Sequence, residues 1–181
     1  MRTHKRPISP VPSKLLTTYA EEIAIKANGP IADIACGYGR NAKLISSFGA
    51  PVICVDIDQQ ALDFIKESLN EDGNLLTVEQ LDLINDHWPF ENNSLGAIIN
   101  VHFFTAQLLE HFKKSLKLGG YLFLETIDGH GKNYLDLPPY GFIRQALAET
   151  FDIKYIKENK TGPDQIDAAT VKLLAIKRRL T

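Results

Sequence analysis

Apolar residues recur at helical spacing at Leu15, Leu16, Tyr19, Ala20, Ile23 and Ala27, with Ser13 ahead of them as an N-cap and Asn28-Gly29-Pro30 behind them as a stop. This predicts a first helix. The period then shortens: "IADIAC" (31–36) reads as a strand, Gly37 to Gly39 as a turn, "RNAKLISSF" as a helix ending near Gly49, and "PVICVD" (51–56) as a second strand. Asp58 is placed to cap a helix whose apolar face carries Ala61, Leu62, Ile65 and Leu69. "NLLTVEQLD" (74–82) and "LGAIINV" (95–101) are the third and fourth strands. Thr105 precedes Leu108, Leu109, Phe112 and Leu116, so the spacing predicts a helix that runs through Leu116 to a stop at Gly119-Gly120, with "YLFLET" (121–126) as the fifth strand. A long loop reaches Pro139, a helix follows over 140–149, and "FDIKYIKEN" (151–159) and "TVKLLAIKR" (170–178) alternate as an antiparallel pair.

Strands separated by helices need crossover connections, and those give a largely parallel sheet covered on both faces. The predicted fold is therefore α/β, a Rossmann-like three-layer sandwich whose seven-stranded, mostly parallel sheet closes with a C-terminal antiparallel hairpin. Residues 1–12 form an N-terminal arm and 13–181 a single domain. The size agrees, since 181 residues with 44% hydrophobic content make one ordinary core.

Charge narrows the partners. Twenty Lys and Arg against 22 Asp and Glu give a net charge of -2, which supplies no global field for nucleic-acid phosphates. The basic residues at the ends, Arg2, Lys5 and Arg6 and then Lys177, Arg178 and Arg179, read as solvated tails. Cys36 and Cys54, the two cysteines, sit in apolar runs as packing thiols, which suits a reducing cytoplasm. No run approaches the roughly 20 apolar residues of a membrane span, and neither a signal peptide nor an anchor is expected. His87, His102, His111 and His130 lack the spacing of metal ligands, so no metal site is expected.

The candidate chemistry lies at the ends of the strands. Gly37-Tyr38-Gly39-Arg40-Asn41-Ala42 satisfies G-x-G-x-x-[GA], the turn that presents a helix start to a pyrophosphate in dinucleotide-binding proteins. Asp33 stands four positions before the first glycine, where a carboxylate repels a diphosphate but holds a cationic amine. Asp56 ends the second strand at the position from which an acid accepts both ribose hydroxyls. Asp82 closes the third strand, within reach of an exocyclic adenine amine, with Ile57 and Leu83 as apolar walls. Amine, ribose and adenine together describe S-adenosyl-L-methionine.

Residues 31 to 126 resemble the core of the class I S-adenosylmethionine-dependent methyltransferases. "DIACGYGR" resembles their first motif, "VDID" the second, "LDL" the third, and "LKLGGYLFLET" the later glycine turn and fifth strand. Within that family, "DIACGYGRNAKLI" and the segment from "NVHFF" to "ET" look most like small bacterial methyltransferases related to tellurite-resistance proteins. The resemblance implies that Asp33, Gly37 and Gly39 face the methionine part of the donor, Asp56 the ribose and Asp82 the adenine, with Asn100 near the methionine and the transferable methyl. In one respect the chain departs from the family, which often places an acid early in the fourth strand where this chain has Leu95-Gly96-Ala97. "LPPY" (137–140) resembles the Asn-Pro-Pro-Tyr motif of methyltransferases acting on base amines, but Leu137 replaces the asparagine and the segment follows the fifth strand.

The sulfonium already activates the methyl, so the protein mainly aligns a nucleophile and excludes water. His102 and Tyr140 are the candidate catalytic residues, to accept or steer a proton when the acceptor is an amine or hydroxyl. Substrate contacts are expected from the arm, from 101–107 and from 127–139, where Gly129, His130, Gly131, Asn133 and Tyr134 lie. The expected partner is a small-molecule methyl acceptor. An RNA or protein acceptor, a NAD(P)-dependent Rossmann oxidoreductase, a non-catalytic binder and a homodimer all stay open.

Overall fold

The computed structural model describes residues 11–68, 75–127 and 133–178. Most of the arm, Leu69, Asn74, Gly129, His130, Gly131 and Arg179, each named above, lie outside the described residues.

Helix α1 (Lys14–Lys26) starts as expected, with the Ser13 hydroxyl accepting the Leu16 N–H. Strand β1 (Ile31–Ile34), helix α2 (Arg40–Ser46), strand β2 (Val52–Asp56), helix α3 (Gln59–Glu67), strand β3 (Leu76–Gln80) and strand β4 (Leu95–Val101) follow. Asp58 caps α3 by accepting the N–H groups of Gln60 and Ala61. Helix α4 (Ala106–Ser115), strand β5 (Leu116–Glu125), helix α5 (Phe142–Leu147), strand β6 (Phe151–Thr161) and strand β7 (Ala168–Lys177) complete the chain.

The boundary between α4 and β5 differs from the spacing. Leu116 keeps the helical period but belongs to β5, where it pairs with Leu95, and the helix stops at Ser115. Ser115 is fixed there because its Oγ accepts the indole N–H of Trp88 at 2.7 Å. The Gly119-Gly120 pair therefore lies inside the strand and does not terminate the helix.

The seven strands form one sheet in the order β3-β2-β1-β4-β5-β7-β6. Strands β1 to β5 pair in parallel, and β7 runs antiparallel to both β5 and β6. The chain moves outward from β1 to β3 and then returns to lay β4 on the other side of β1. In open sheets of this kind, ligands bind where the order reverses, outside the carboxyl ends of the strands.

Alternating strand residues feed two cores. On one face Leu16, Ile23, Ile45 and Ile65 pack with Ala97, Ile99, Tyr121 and Phe123. On the other, Leu109, Phe112, Ile143 and Leu147 pack with Ile98, Leu122, Leu124 and Leu173. All seven residues of β4 are buried, as befits a central strand.

The glycine in the early part of β4 has a physical reason. A Cβ on Gly96 would lie 2.6 Å from the backbone N of Gly29, so the turn before β1 leaves no room for a side chain at this position.

Candidate functional site

The turn between β1 and α2 is built from left-handed backbone at three alternate residues, Ala35 (φ 56°), Gly37 (φ 53°) and Gly39 (φ 72°). At Ala35 this conformation costs about 1–2 kcal/mol, because a Cβ meets its own backbone. The two glycines serve different purposes. A Cβ on Gly37 would meet nothing within 4 Å, so this residue opens toward the crevice, whereas a Cβ on Gly39 would lie 2.8 Å from Ile65 Cδ1 and obstruct the packing of α3. Tyr38 braces the turn from outside with its ring edge-on to Phe64, at a centroid distance of 5.3 Å.

Asp33 is buried beneath this turn, and its Oδ2 accepts the Ala42 N–H at 3.0 Å. Burial, with a smaller contribution from the Asp56 charge, pushes its carboxyl up to about 7 against the lowering effect of the Ala42 hydrogen bond. Asp33 thus holds the Ala42 N–H near the start of α2 from inside and, when ionised, puts a negative charge under the bend.

Asp56 stands at the end of β2. Its Oδ2 accepts the Gly37 N–H at 2.7 Å and its Oδ1 accepts the Asp58 N–H at 2.9 Å. Each oxygen keeps a second lone pair, enough for two hydroxyl donors. Beside it Ile57 is 56% exposed and Ile84 58% exposed, and Leu83 is half-buried. Ile84 is absent from the residues that the sequence singles out. Asp82 shapes this loop: Oδ1 accepts from the N–H groups of Ile84 and Asn85, and Oδ2 from the Asn85 side chain at 2.7 Å. The Asn85 amide and the Ile84 N–H hold its carboxyl below the usual carboxylate range.

Asn100 sits at the end of β4, opposite Ile34 of β1, and its Nδ2 donates to the Ile34 carbonyl at 3.0 Å. Its Oδ1 is buried with no hydrogen-bond partner among the described residues. Next to it His102 is exposed, with a left-handed backbone (φ 69°) and its N–H on the Glu125 carbonyl at 2.7 Å. Asp33, Gly37, Asp56, Ile57, Leu83, Asn100 and His102 thus lie at the carboxyl ends of four neighbouring strands.

Tyr140 lies beside Lys160 and Asp167, two residues before Phe142, whose ring meets Phe104 at a centroid distance of 6.4 Å. Lys160 Nζ lies 5.2 Å from its ring centroid, and the Tyr140 N–H donates to Asp167 Oδ1 at 3.4 Å. Lys160 belongs to β6, three strand spacings from β4, or about 14 Å.

Two polar residues that the sequence does not single out, Asn41 and Glu125, both bind Ser13 at the start of α1. The Ser13 hydroxyl donates to Glu125 Oε1 at 2.6 Å, and the Ser13 N–H donates to Asn41 Oδ1 at 3.0 Å. Glu125 also faces Lys172 at 3.6 Å. Nothing local in the sequence joins Ser13 to a residue 112 positions away. Among the described residues no group of three or more His, Cys, Asp or Glu side chains is placed to hold a metal ion, and no helix is long and apolar enough to cross a membrane.

Residues 31–120, from β1 to the glycines of β5, match the family model described as a methyltransferase domain. No curated protein sequence matches the chain. Among solved structures, the fold is similar to that of a SAM-dependent methyltransferase from Methanosarcina mazei, with 17% identity, 93% of this chain and 99% of that one covered, and a TM-score of 0.63. Geranyl diphosphate C-methyltransferase from Streptomyces coelicolor is similar at 14% identity, with 90% and 78% covered and a TM-score of 0.63. The [4+2]-cyclase SpnF is similar at 15% identity, with 91% and 80% covered and a TM-score of 0.67. At these identities the likeness is one of fold. A cyclase among the neighbours shows that the scaffold alone does not specify the reaction.

Proposed function

We propose that this protein is an S-adenosyl-L-methionine-dependent methyltransferase acting on a small-molecule acceptor, with residues 13–181 as its working unit. S-adenosyl-L-methionine is the cofactor, and when bound it supplies a methyl already activated by the sulfonium.

The observation that carries the reading is the buried Asn100 Oδ1, which has no partner among the described residues and stands one strand from the buried carboxylate of Asp33. Both groups are acceptors, so this corner suits a cationic ammonium with N–H groups to donate and disfavours a diphosphate. Gly37 keeps the approach open. Asp56 receives the ribose hydroxyls on the lone pairs left after its bonds to Gly37 and Asp58. Ile57 and Leu83 flank the adenine, and Asp82 Oδ2, with one donor from Asn85, keeps a lone pair for its exocyclic amine.

The acceptor approaches over His102, Phe103 and Phe104, beside the strand ends that hold the donor. His102 steers it. Phe104 meets Phe142, two residues from Tyr140, and this keeps Tyr140 as the second candidate beside His102. A net charge of -2 favours a small molecule over a nucleic acid. Two buried free thiols, Cys36 and Cys54, suit a cytoplasmic setting.

Incubation with methyl-labelled S-adenosylmethionine and size-fractionated lysate tests the acceptor class, with tellurite assayed separately because of the motif's resemblance to tellurite-resistance relatives. Label in the small-molecule fraction supports the reading. Label confined to RNA or protein overturns the acceptor, and donor binding without transfer to any fraction overturns the activity.

A further inference from the structure

The turn that leads into α5 carries two aromatic side chains. The Phe142 N–H donates to the Pro139 carbonyl at 3.1 Å, and Gly141, between Tyr140 and Phe142, is left-handed (φ 81°). This turn is pinned to the sheet, because the Ala169 N–H of β7 donates to the Pro138 carbonyl at 2.9 Å. From it the half-buried Phe142 ring meets the half-buried Phe104 of the segment after β4, edge-on, with centroids 6.4 Å apart. Tyr140 is 48% exposed, and Lys160 Nζ lies 5.2 Å from its ring centroid.

The charges around these rings are unevenly matched. Arg144 Nε binds Glu158 Oε2 at 3.3 Å, and Asp167 Oδ1 accepts the Tyr140 N–H at 3.4 Å. Lys160 is in no ion pair among the described residues. An exposed lysine on an edge strand often serves only to discourage pairing with another chain, and Lys154 and Lys157 of β6 fit that role. Lys160 differs from them because its ammonium lies over a ring. An ammonium has three N–H donors, and a ring beneath it leaves donors for an anion.

We infer that the methyl acceptor is an organic anion with an apolar body, in which Phe104, Phe142 and Tyr140 carry the body and the Lys160 ammonium binds a carboxylate at its far end. This names the acceptor class for the proposed function and rests on it. The two ends are set by the sheet, since the donor lies at the end of β4 and Lys160 on β6, three strand spacings or about 14 Å away. An acceptor that reaches both is elongated, and its carboxylate is the anchor and not the group that receives the methyl. Contact with the rings supplies most of the affinity, because apolar burial scales with area while a pair at an exposed lysine adds little. Lys160 therefore selects the charge of the acceptor more than the strength of its binding.

Nitrogen–proton NMR titration of the full chain, saturated with S-adenosylhomocysteine, tests this with phenylbutanoate and decanoate as probes, each beside its neutral primary amide. Saturable shifts at Phe104, Phe142 and Lys160 are expected with both acids, and the amides should bind about three- to fivefold more weakly. In Lys160→Gln, a change at an exposed position, the acids should bind no better than the amides. Phe142→Leu should weaken acids and amides alike. Absence of saturable binding by both acids, amides bound as tightly as acids, or an acid preference that survives in Lys160→Gln overturns the inference. Failure of the proposed function is read earlier, as the absence of any shift on adding S-adenosylhomocysteine before a probe is present.

Discussion

The carboxylate of Asp56 accepts the backbone N–H of Gly37 at 2.7 Å, which joins the end of β2 to the turn after β1. The same side chain is thus both a strut of the turn and a receiver for ribose hydroxyls. Asp56→Ala should weaken S-adenosylhomocysteine binding by about 1–3 kcal/mol, measured by isothermal titration calorimetry. Unchanged affinity would remove Asp56 from the site.

Donor binding should also depend on pH through Asp33. Its carboxyl lies at about 7 in the folded protein against an ordinary 3.8, because burial disfavours the charge. The folded state thus holds a proton that the unfolded chain releases near 3.8, and the stability this contributes is full below 3.8 and lost as pH rises through about 7. A cationic donor favours the carboxylate, so binding expels the proton and affinity should rise as pH passes upward through about 7. Titrations at several pH values should show this slope in the wild type and not in Asp33→Asn. A wild-type affinity that is flat across this range contradicts the role of Asp33 as the negative floor.

Much of this arrangement was legible in the sequence. The capping residues Ser13 and Asp58, the succession of strands and helices along the chain, and its closing antiparallel pair follow from local chemistry that the structure retains. What escaped depends on contacts distant in sequence. Leu116 keeps the helical spacing but leaves the helix to pair with Leu95. Gly37 and Gly39 are the same letter two positions apart, yet one faces open space and the other Ile65. Tyr140 follows β5 in the chain, yet its ring meets Lys160 of β6, 20 positions on. The link from Arg40 to His102 spans 62 positions and has no signature along the chain.

Ala35 holds a left-handed conformation that disfavours any side chain with a Cβ. Ala35→Gly should therefore be neutral or stabilising by up to about 1 kcal/mol, since relief of strain competes with the added freedom of the unfolded glycine. Urea denaturation measures this. A loss of more than about 1 kcal/mol would show that the alanine methyl packs usefully and that the turn is not strained.

Ser13 caps α1 and also donates to the buried Glu125. Ser13→Ala should cost about 1–2 kcal/mol of stability by chemical denaturation, more than an isolated surface cap, because Glu125 loses a buried partner. A cost near zero would mean that the α1 start is not anchored at the mouth through this bond.

The central claim is that the bend after β1 sits over acceptors that select a cationic adenosyl donor. Calorimetric titration of the purified chain with S-adenosylmethionine and, separately, with NADH tests it most directly. Saturable binding of S-adenosylmethionine with no heat from NADH is the predicted result, and saturable binding of NADH with none of S-adenosylmethionine would contradict it.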